Sequence, residues 1–393
     1  MPGALDGVRV LDLTHVLNGP FCTVPLAHMG AEVLKLEYGA GDRLRHAWMP
    51  VDVNRDGYES IAVNANKEGL VLDLKKEEGK RVVLELLKKS DVVVENFTTG
   101  AMERLGLGYE TLREGNPRII HACSRGFGET GPYRDVRANA ATISAIAGFS
   151  HESMRLAETP GARSIPLGDE TAGVSMCVGI LGALYRRERT GAGQKIEVSM
   201  QEALLVFMVS HLHTVFEGVE VGAKPKPCKD GYYAFHMRDI SDDLWKNLVT
   251  ALGKPELVDD PRFCNPKERW RNYNLVEATV TELVAGWTRA ELWELLCSLG
   301  MSSAPVLLVA EAVEDKHLAA RDAFVEVEHP TAGTVRLLAP WVRFSESPSA
   351  TTAPSPRMGQ HTREILGDLL GMSAAEIDAL GAAKVVSSVD SRE

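Results

Sequence analysis

Short β-rich runs alternate with helical patterns along the first half of the chain, and this alternation limits the folds available to it. The runs that predict strands are 8–13, 32–37, 70–74, 91–96 and 118–124. Between two of them, segment 77–89 places Val82, Val83, Leu86 and Leu87 on one face and charged residues on the other, which predicts a helix packed on a sheet. Strands that alternate with helices in this way are typical of a parallel α/β fold.

The second half of the chain changes character. A strand at 195–200 and an apolar helix at 201–216 precede segment 218–229, which is rich in Gly, Pro and Lys and reads as a linker. Beyond it, 231–236 predicts a strand, and 241–252, 274–286 and 289–299 predict helices of a separate, smaller domain. The β pattern returns at 324–328 and 334–338, and 359–380 is helical again.

Composition excludes several classes of protein. The net charge is −11, from 54 acidic and 43 basic residues, which argues against a nucleic acid or an anionic membrane as partner. The six cysteines form no CxxC pair, as expected of reduced thiols in a cytoplasmic protein. No apolar run is long enough to suggest a membrane or targeting segment. His211 and His213 lie two apart on a predicted helix and face different sides, so no metal site is expected.

The segment after the first strand argues against a nicotinamide cofactor. A dinucleotide fold places a GxGxxG turn there, because only glycine lets the backbone approach a pyrophosphate closely. This chain has Thr14 to Pro20 at that point, with one glycine, Gly19. A dehydrogenase that uses NAD is therefore not expected.

One acidic residue is a candidate nucleophile. Gly168 and Asp169 lead into an apolar segment at 174–185, which predicts that Asp169 lies at the start of a buried helix. The unpaired N–H groups and partial positive charge of a helix start keep a carboxylate ionised at neutral pH, so that it can attack an acyl carbon. Asp is also a favoured N-cap, and a purely structural role is the alternative.

Several segments, in order and spacing, resemble the class III CoA-transferases, the group of formyl-CoA transferase and carnitine CoA-transferase. The resemblance runs from residue 5 to about 380 and rests on segments 7–13, 30–37, 91–97, 104–106, 168–169, 190–194 and 359–362. It implies an α/β fold with a Rossmann-like large domain (1–217 and 323–393), the linker 218–229 and an inserted smaller α+β domain (230–322). It also implies two ring-like subunits threaded into an interlocked dimer.

The resemblance implies a reaction as well. Asp169 matches the family's nucleophile, which forms a mixed anhydride and then an aspartyl-CoA thioester before CoA passes to an acceptor acid. The partners implied are an acyl-CoA and a carboxylic acid; coenzyme A enters as a substrate, and no cofactor is permanently bound. The positions that match the family's CoA-binding residues are His15, Val16, Leu72, Lys75, Asn96, Phe97, Arg104 and Arg137.

Other functions remain open at this stage. A CoA-thioester racemase on the same fold needs two opposed bases, and the absence of a histidine from residues 133–150 argues against it. The chain could also be one subunit of a heteromer with a related protein, although the presence of Asp169 argues against a purely CoA-binding role. The apolar Leu17 and the absence of a glycine-rich loop from the linker region favour a larger or more hydrophobic acceptor, such as a substituted succinate with succinyl-CoA as donor. The match also places Trp48 near the pocket.

Overall fold

The computed structural model describes residues 2–47, 56–156, 165–218, 224–237 and 240–387. The chain divides into two compact units, one formed by Met1–Val209 with Ala320–Glu393 and the other by Ser210–Ala319. The linker that the sequence predicts at 218–229 falls within the second unit, and its residues 219–223 lie outside the described residues.

A parallel sheet forms the centre of the first unit. In the described part of the chain it has six strands in the order β3-β2-β1-β4-β5-β6, so that β1 and β4 are neighbours and the chain winds outward on both sides. This order is the doubly wound one, and it confirms the predicted α/β fold. The strands are β1 Arg9–Asp12, β2 Glu32–Glu37, β3 Glu68–Val71, β4 Val92–Glu95, β5 Ile120–Arg125 and β6 Gln194–Ser199.

Helices cover both faces of this sheet. Successive strand residues point to opposite faces, so Leu11 and Leu34 pack on one side while Val10 and Val33 pack on the other. The helices of the first unit up to residue 207 are α1 Asn18–His28, α2 Tyr58–Val63, α3 Glu77–Lys88, α4 Ala101–Arg104, α5 Tyr109–Gly115, α6 Ala140–Ile146, α7 Phe149–Leu156, α8 Gly168–Thr190 and α9 Met200–Phe207. The next helix, α10 Val209–Glu217, belongs to the second unit from Ser210 onward.

The predicted helix at 201–216 is two helices in the structure. The amide of Met208 donates to the carbonyl oxygens of both Leu204 and Leu205, at 3.1 and 3.0 Å, which tightens the last turn of α9. The chain then starts again as α10.

Helix α1 is absent from the sequence prediction because it contains Pro20 and Pro25. Pro20 lies in the first turn, where an amide has no intrahelical acceptor to lose, and Pro25 removes one interior hydrogen bond. Burial compensates for this loss, since α1 packs against α8. A Cβ atom on Gly173 would lie 2.7 Å from the carbonyl oxygen of Asn18, so glycine is required for this close approach. The contact brings the start of α1 against the first turns of α8.

The second unit has its own core around Tyr233, Trp245 and Phe263. Its described strands form an antiparallel sheet in the order β7-β8-β9. The helices that the sequence predicts at 241–252, 274–286 and 289–299 are confirmed. The elements are β7 Lys226–Cys228, β8 Gly231–Phe235, α11 Asp242–Ala251, a 3-10 helix at Pro255–Val258, α12 Pro266–Arg271, α13 Tyr273–Val284, α14 Arg289–Ser298, β9 Ser303–Pro305, α15 Val309–Val313 and α16 Lys316–Ala320.

The C-terminal segment belongs to the first unit. The two strands that the sequence predicts are present and pair as an antiparallel hairpin, and the helices that follow place Ile365 and Ile377 in the core on one side of the parallel sheet. The elements are β10 Phe324–His329, β11 Gly333–Leu338, α17 Thr362–Leu370 and α18 Ala374–Ala382.

A buried charge network lies at the carboxyl end of β1. The carboxylate of Asp12 accepts hydrogen bonds from the Thr14 amide at 2.9 Å and from the Thr23 hydroxyl at 2.6 Å, and the Lys67 ammonium lies 3.0 Å away. Burial acts to raise the pKa of Asp12. The charges of Lys35 and Lys67 and hydrogen bonds from the hydroxyls of Thr14 and Thr23 nevertheless hold this pKa well below its usual value. Burial in turn lowers the pKa of Lys67 to about 8. The network fixes the loop that leads from β1 into α1.

Asp12→Ala is expected to lower the free energy of unfolding by about 3–5 kcal/mol, because the substitution leaves the buried Lys67 ammonium without its carboxylate and removes one of the two carboxylates beside Lys35. Chemical denaturation of purified protein measures the change. Lys88→Ala is the matched control: it removes an exposed ion pair with Glu85 and should cost about 1 kcal/mol or less. Equal effects of the two substitutions would contradict the central role of Asp12.

Candidate active site

The carboxyl ends of the parallel strands carry a cavity of about 480 Å³, called here the strand-end cavity. It lies where β1 and β4 are neighbours and the winding direction reverses, the position at which doubly wound sheets bind ligands. The residues that line it are His15, Tyr38, Leu74, Lys75, Asn96, Phe97, Thr98, Ala101, Arg104 and Leu105.

Aromatic rings form one wall of the strand-end cavity. The His15 ring lies 5.2 Å from that of Phe97 and 5.5 Å from that of Tyr38, measured between centroids. The Asn96 side chain fixes His15 through both backbone groups, accepting from its amide at 2.9 Å and donating to its carbonyl at 2.8 Å. Burial and nearby Lys35 lower the pKa of His15, so the ring is neutral at pH 7. A planar base or another flat apolar group fits such a wall.

Basic side chains line the same cavity. Lys75 and Arg104 are both exposed, and neither makes an ion pair with a residue of the described ranges. The Arg104 guanidinium reaches the carbonyl oxygen of Thr99 at 3.4 Å. Their positive charges are therefore available to an anionic ligand.

A second cavity of about 930 Å³ contains the candidate nucleophile and is called here the Asp169 cavity. Asp169 is the second residue of α8 and is partly buried. Burial, together with the charge of neighbouring Glu170, raises the pKa of Asp169 to about 6. The carboxylate is still mostly ionised at pH 7, as the sequence predicts, but burial rather than the helix start determines the direction of its pKa shift. The described residues that line this cavity are Val16, Leu17, Ala40, Gly41, Asp42, Arg43, Leu44, His46, Ala47, Glu59, Asn139, Ala140, Ala141, Ile165, Pro166, Asp169 and Glu170.

Val16 lines the Asp169 cavity next to His15 of the strand-end cavity, and its conformation is strained. Its φ angle is +62°, a left-handed value that a β-branched residue adopts at a cost of about 1–3 kcal/mol. The Val16 amide donates to both carboxylate oxygens of buried Asp42, each at 3.0 Å, and this contact holds the conformation. Because His15 lines one cavity and Val16 lines the other, a long ligand could pass from one to the other over a single peptide.

The structure brings most of the predicted binding residues together. His15, Lys75, Asn96, Phe97 and Arg104 meet in the strand-end cavity, and Val16 and Asp169 meet in the Asp169 cavity.

Two predicted positions line neither cavity. Leu72 is fully buried and forms a β-bridge with Val386, and Arg137 is exposed in the loop that precedes α6. Trp48 lies outside the described residues.

Several cavity-lining residues that the sequence analysis does not predict follow β2. Tyr38 lines the strand-end cavity, and Arg43 and Leu44 line the Asp169 cavity. Their position after β2 could have predicted them, because the carboxyl ends of β1, β2, β3 and β4 all lie at the same edge of the sheet. Glu59, Ile165 and Pro166 carry no such signal.

The described residues carry neither a metal-binding nor a membrane-spanning signal. They contain no cluster of His, Cys, Asp and Glu side chains suited to hold a metal ion. None of their helices combines the length and the apolar character that crossing a membrane requires.

Comparison with known proteins identifies the family. The family model described as CoA-transferase family III matches residues 5–362, nearly the whole chain. The chain belongs to CoA-transferase family III. This result confirms the resemblance found in the sequence, and the protein is an enzyme of the transferase type.

Individual relatives agree with this assignment. A formyl-CoA:oxalate CoA-transferase of Streptomyces avermitilis is 33% identical over 407 residues, covering 97% of this chain and 98% of the relative. A succinyl-CoA–D-citramalate CoA-transferase of Chloroflexus aurantiacus is 32% identical over 413 residues, covering 98% of each chain. The crystal structure of a CAIB/BAIF family protein from Brucella suis has a TM-score of 0.81 at 28% identity and covers 94% of this chain and 100% of that one.

Asp169→Asn is expected to stabilise the protein at pH 8. The pKa of Asp169 is raised from 3.8 to about 6 on folding, so the ionised group destabilises the folded state above pH 6 and has no effect below pH 3.8. At 1.36 kcal/mol for each pH unit, the gain is about 1–3 kcal/mol at pH 8 and fades as the pH falls from 6 to 4. Denaturation curves of wild type and variant at pH 8 and at pH 4 measure this gain.

Asp243→Asn is the control for this prediction, because it replaces an exposed carboxylate in the first turn of α11. It should give no comparable gain at pH 8. A loss of stability in Asp169→Asn at pH 8 would contradict the raised pKa.

Proposed function

We propose that this enzyme moves CoA from an acyl-CoA donor to a carboxylic acid acceptor by way of covalent intermediates on Asp169. The observation that carries the proposal is the position of Asp169: an ionisable carboxylate with a pKa near 6 lines a cavity that adjoins a second one with aromatic and unpaired basic side chains. Succinyl-CoA is a candidate donor, as in the name of the Chloroflexus relative.

In this proposal, coenzyme A spans both cavities. The adenine base packs on the ring wall of His15, Tyr38 and Phe97, and the phosphates pair with Lys75 and Arg104. The pantetheine arm then passes over Val16 and brings the thioester to Asp169. Coenzyme A enters and leaves as part of the substrates, so the proposal includes no permanently bound cofactor.

The proposed chemistry begins with Asp169 as nucleophile. Its carboxylate oxygen attacks the thioester carbonyl, and collapse of the tetrahedral intermediate expels the CoA thiolate and leaves a mixed anhydride. The thiolate then attacks the Asp169 carbonyl carbon, which releases the donor's acid as a carboxylate and leaves an aspartyl-CoA thioester. The raised pKa of Asp169 makes its carboxylate a better nucleophile than an ordinary aspartate while most of it remains ionised at pH 7.

The acceptor repeats these steps in reverse. Its carboxylate attacks the aspartyl-CoA thioester, and the expelled thiolate attacks the acceptor's acyl carbon in the new anhydride. The products are the acceptor's CoA thioester and free Asp169. No proton is gained or lost over the cycle, so the reaction needs no general base beside the nucleophile.

The proposal includes a dimer, either of identical chains in the interlocked form or with a related subunit, and an inserted smaller domain. Its support is the exposure of large apolar side chains on helices of the first unit. Val178 and Tyr185 on α8 are 65% and 62% exposed, and Val206 and Phe207 on α9 are 70% and 58% exposed. A second subunit would remove this surface from water. The proposal also places the enzyme in the cytoplasm, which agrees with six free cysteines.

Asp169→Ala is expected to abolish CoA transfer, and Asp169→Asn to be nearly as damaging, because neither side chain can form the anhydride. Transfer from succinyl-CoA or acetyl-CoA to a panel of acids, followed by mass spectrometry, measures the activity. Hydroxylamine treatment of enzyme incubated with acyl-CoA should mark Asp169 in peptide maps.

Asp243→Asn serves as the control and should keep its activity, since it lies on α11 and lines neither cavity. Retention of more than about a tenth of wild-type turnover by Asp169→Ala would refute the proposed role of Asp169. Mapping of the label to another residue would also refute it.

Lys75→Ala and Arg104→Ala are each expected to raise the KM for acyl-CoA by about 5- to 150-fold, with a smaller effect on kcat. Charge-assisted contacts to phosphate contribute about 1–3 kcal/mol to ground state and transition state alike. Steady-state kinetics with varied acyl-CoA measures the change. Arg137→Ala belongs in the same series, as Arg137 remains a predicted phosphate ligand.

Arg81→Ala is the matched control, because Arg81 is an exposed arginine of α3 that lines neither cavity. If the KM for acyl-CoA stayed at its wild-type value in all three variants, the proposed phosphate positions would be wrong.

A further inference from the structure

Charges in the Asp169 cavity are unevenly balanced. Asp42, Glu59, Asp169 and Glu170 all line it. Asp42 is compensated, since the Lys35 ammonium lies 3.6 Å away and two backbone amides donate to its carboxylate. Glu59, Asp169 and Glu170 have no such partner within the described residues, and each would repel an anionic acceptor.

Arg43 is the arginine among the described residues that line this cavity. Its side chain lines the Asp169 cavity, is exposed, and makes no hydrogen bond or ion pair within the described part of the chain. His46 is the other exposed basic residue of this lining. Among the described residues that line this cavity, the permanent positive charge available to an anion is that of Arg43.

The backbone that carries Arg43 is rigid. Arg43–Arg45 is a 3-10 turn that begins at Asp42, whose carboxylate accepts from the Leu44 amide at 3.0 Å. The turn ends at Arg45, a buried residue that pairs with both oxygens of Glu37 at 2.8 and 2.6 Å and with Asp56 at 2.9 Å. The guanidinium of Arg45 is therefore paired with carboxylates, whereas that of Arg43 is not. The turn fixes the origin of the Arg43 side chain while its guanidinium stays free.

The rest of the wall is apolar. Val16, Leu17, Leu44, Ile165 and Pro166 line the same cavity. They suit a hydrocarbon segment, whereas a guanidinium suits a carboxylate through two parallel hydrogen bonds. A molecule that matches both features has a short hydrocarbon chain with a carboxylate at each end.

We propose that Arg43 binds the second carboxylate of a dicarboxylic acceptor whose first carboxylate reacts at Asp169. Arg43 is then a specificity residue: it touches the acceptor at the end remote from the reacting carbon and selects dicarboxylates over monocarboxylates of equal length. This inference rests on the proposed CoA transfer and adds the class of acid that receives CoA.

The test compares succinate and glutarate with butyrate and pentanoate as acceptors, at a fixed acyl-CoA donor, for wild type, Arg43→Gln, Arg43→Lys and Arg81→Gln. Arg43→Gln should lower kcat/KM for the dicarboxylates by about 10- to 100-fold and change that for the monocarboxylates by less than about threefold. Arg43→Lys should keep part of the preference, because it keeps the charge but not the planar fork. Arg81→Gln should match wild type.

Each other result would overturn the inference. Equal losses with both classes of acid would show that Arg43 does not contact a second carboxylate, and thermal denaturation of both Arg43 variants separates this result from unfolding. A higher KM for acyl-CoA with an unchanged acceptor KM would assign Arg43 to CoA. A wild-type preference for monocarboxylates would refute the inference and leave the proposed function standing. Absence of CoA transfer to every acid would refute the proposed function as well.

Discussion

The buried carboxylate of Asp12 is the contact on which the site depends. It lies at the end of the central strand β1 and joins groups from four parts of the chain: Thr14 after β1, Thr23 of α1, Lys35 of β2 and Lys67 before β3. Each of these charged groups is buried and stable only with its partners. Because the network includes both ends of the loop between β1 and α1, it fixes His15 and Val16 before any ligand binds.

Preorganisation continues outward from this network through a second buried carboxylate. Asp42 holds the Val16 amide and caps the turn that carries Arg43, and its own amide donates to Glu37 at 2.8 Å. The strain of Val16 at φ +62° is maintained by these contacts rather than by its own conformational preference. The surrounding structure also holds Asp169 in an unfavourable state: burial destabilises its ionised form and makes that form more reactive.

The sequence predicted those parts of the fold and site that follow from repetition and position. Strand ends of a parallel sheet meet at one edge, so Lys75, Asn96 and Phe97 could be placed together without a structure. Leu72 could not be placed, since neighbouring residues of an extended segment point to opposite sides, and Leu72 points into the core. Helix α1 could not be predicted because of its prolines. The position of Arg43 could not be predicted because its turn is held by hydrogen bonds to acidic residues elsewhere in the chain, which leave no periodic pattern in the sequence.

The walls that surround Asp169 differ in how they are anchored. Asp169, the proposed nucleophile, lies at the start of a helix that packs tightly on α1 at Gly173, whereas Ile165 and Pro166 precede that helix and Arg43 lies on a surface turn. Substitutions at these outer positions disturb neither the sheet nor the buried charges. The scaffold therefore allows its selectivity to evolve separately from its reaction: an ancestor could acquire a new acid substrate through a few surface changes while its catalytic step was inherited intact.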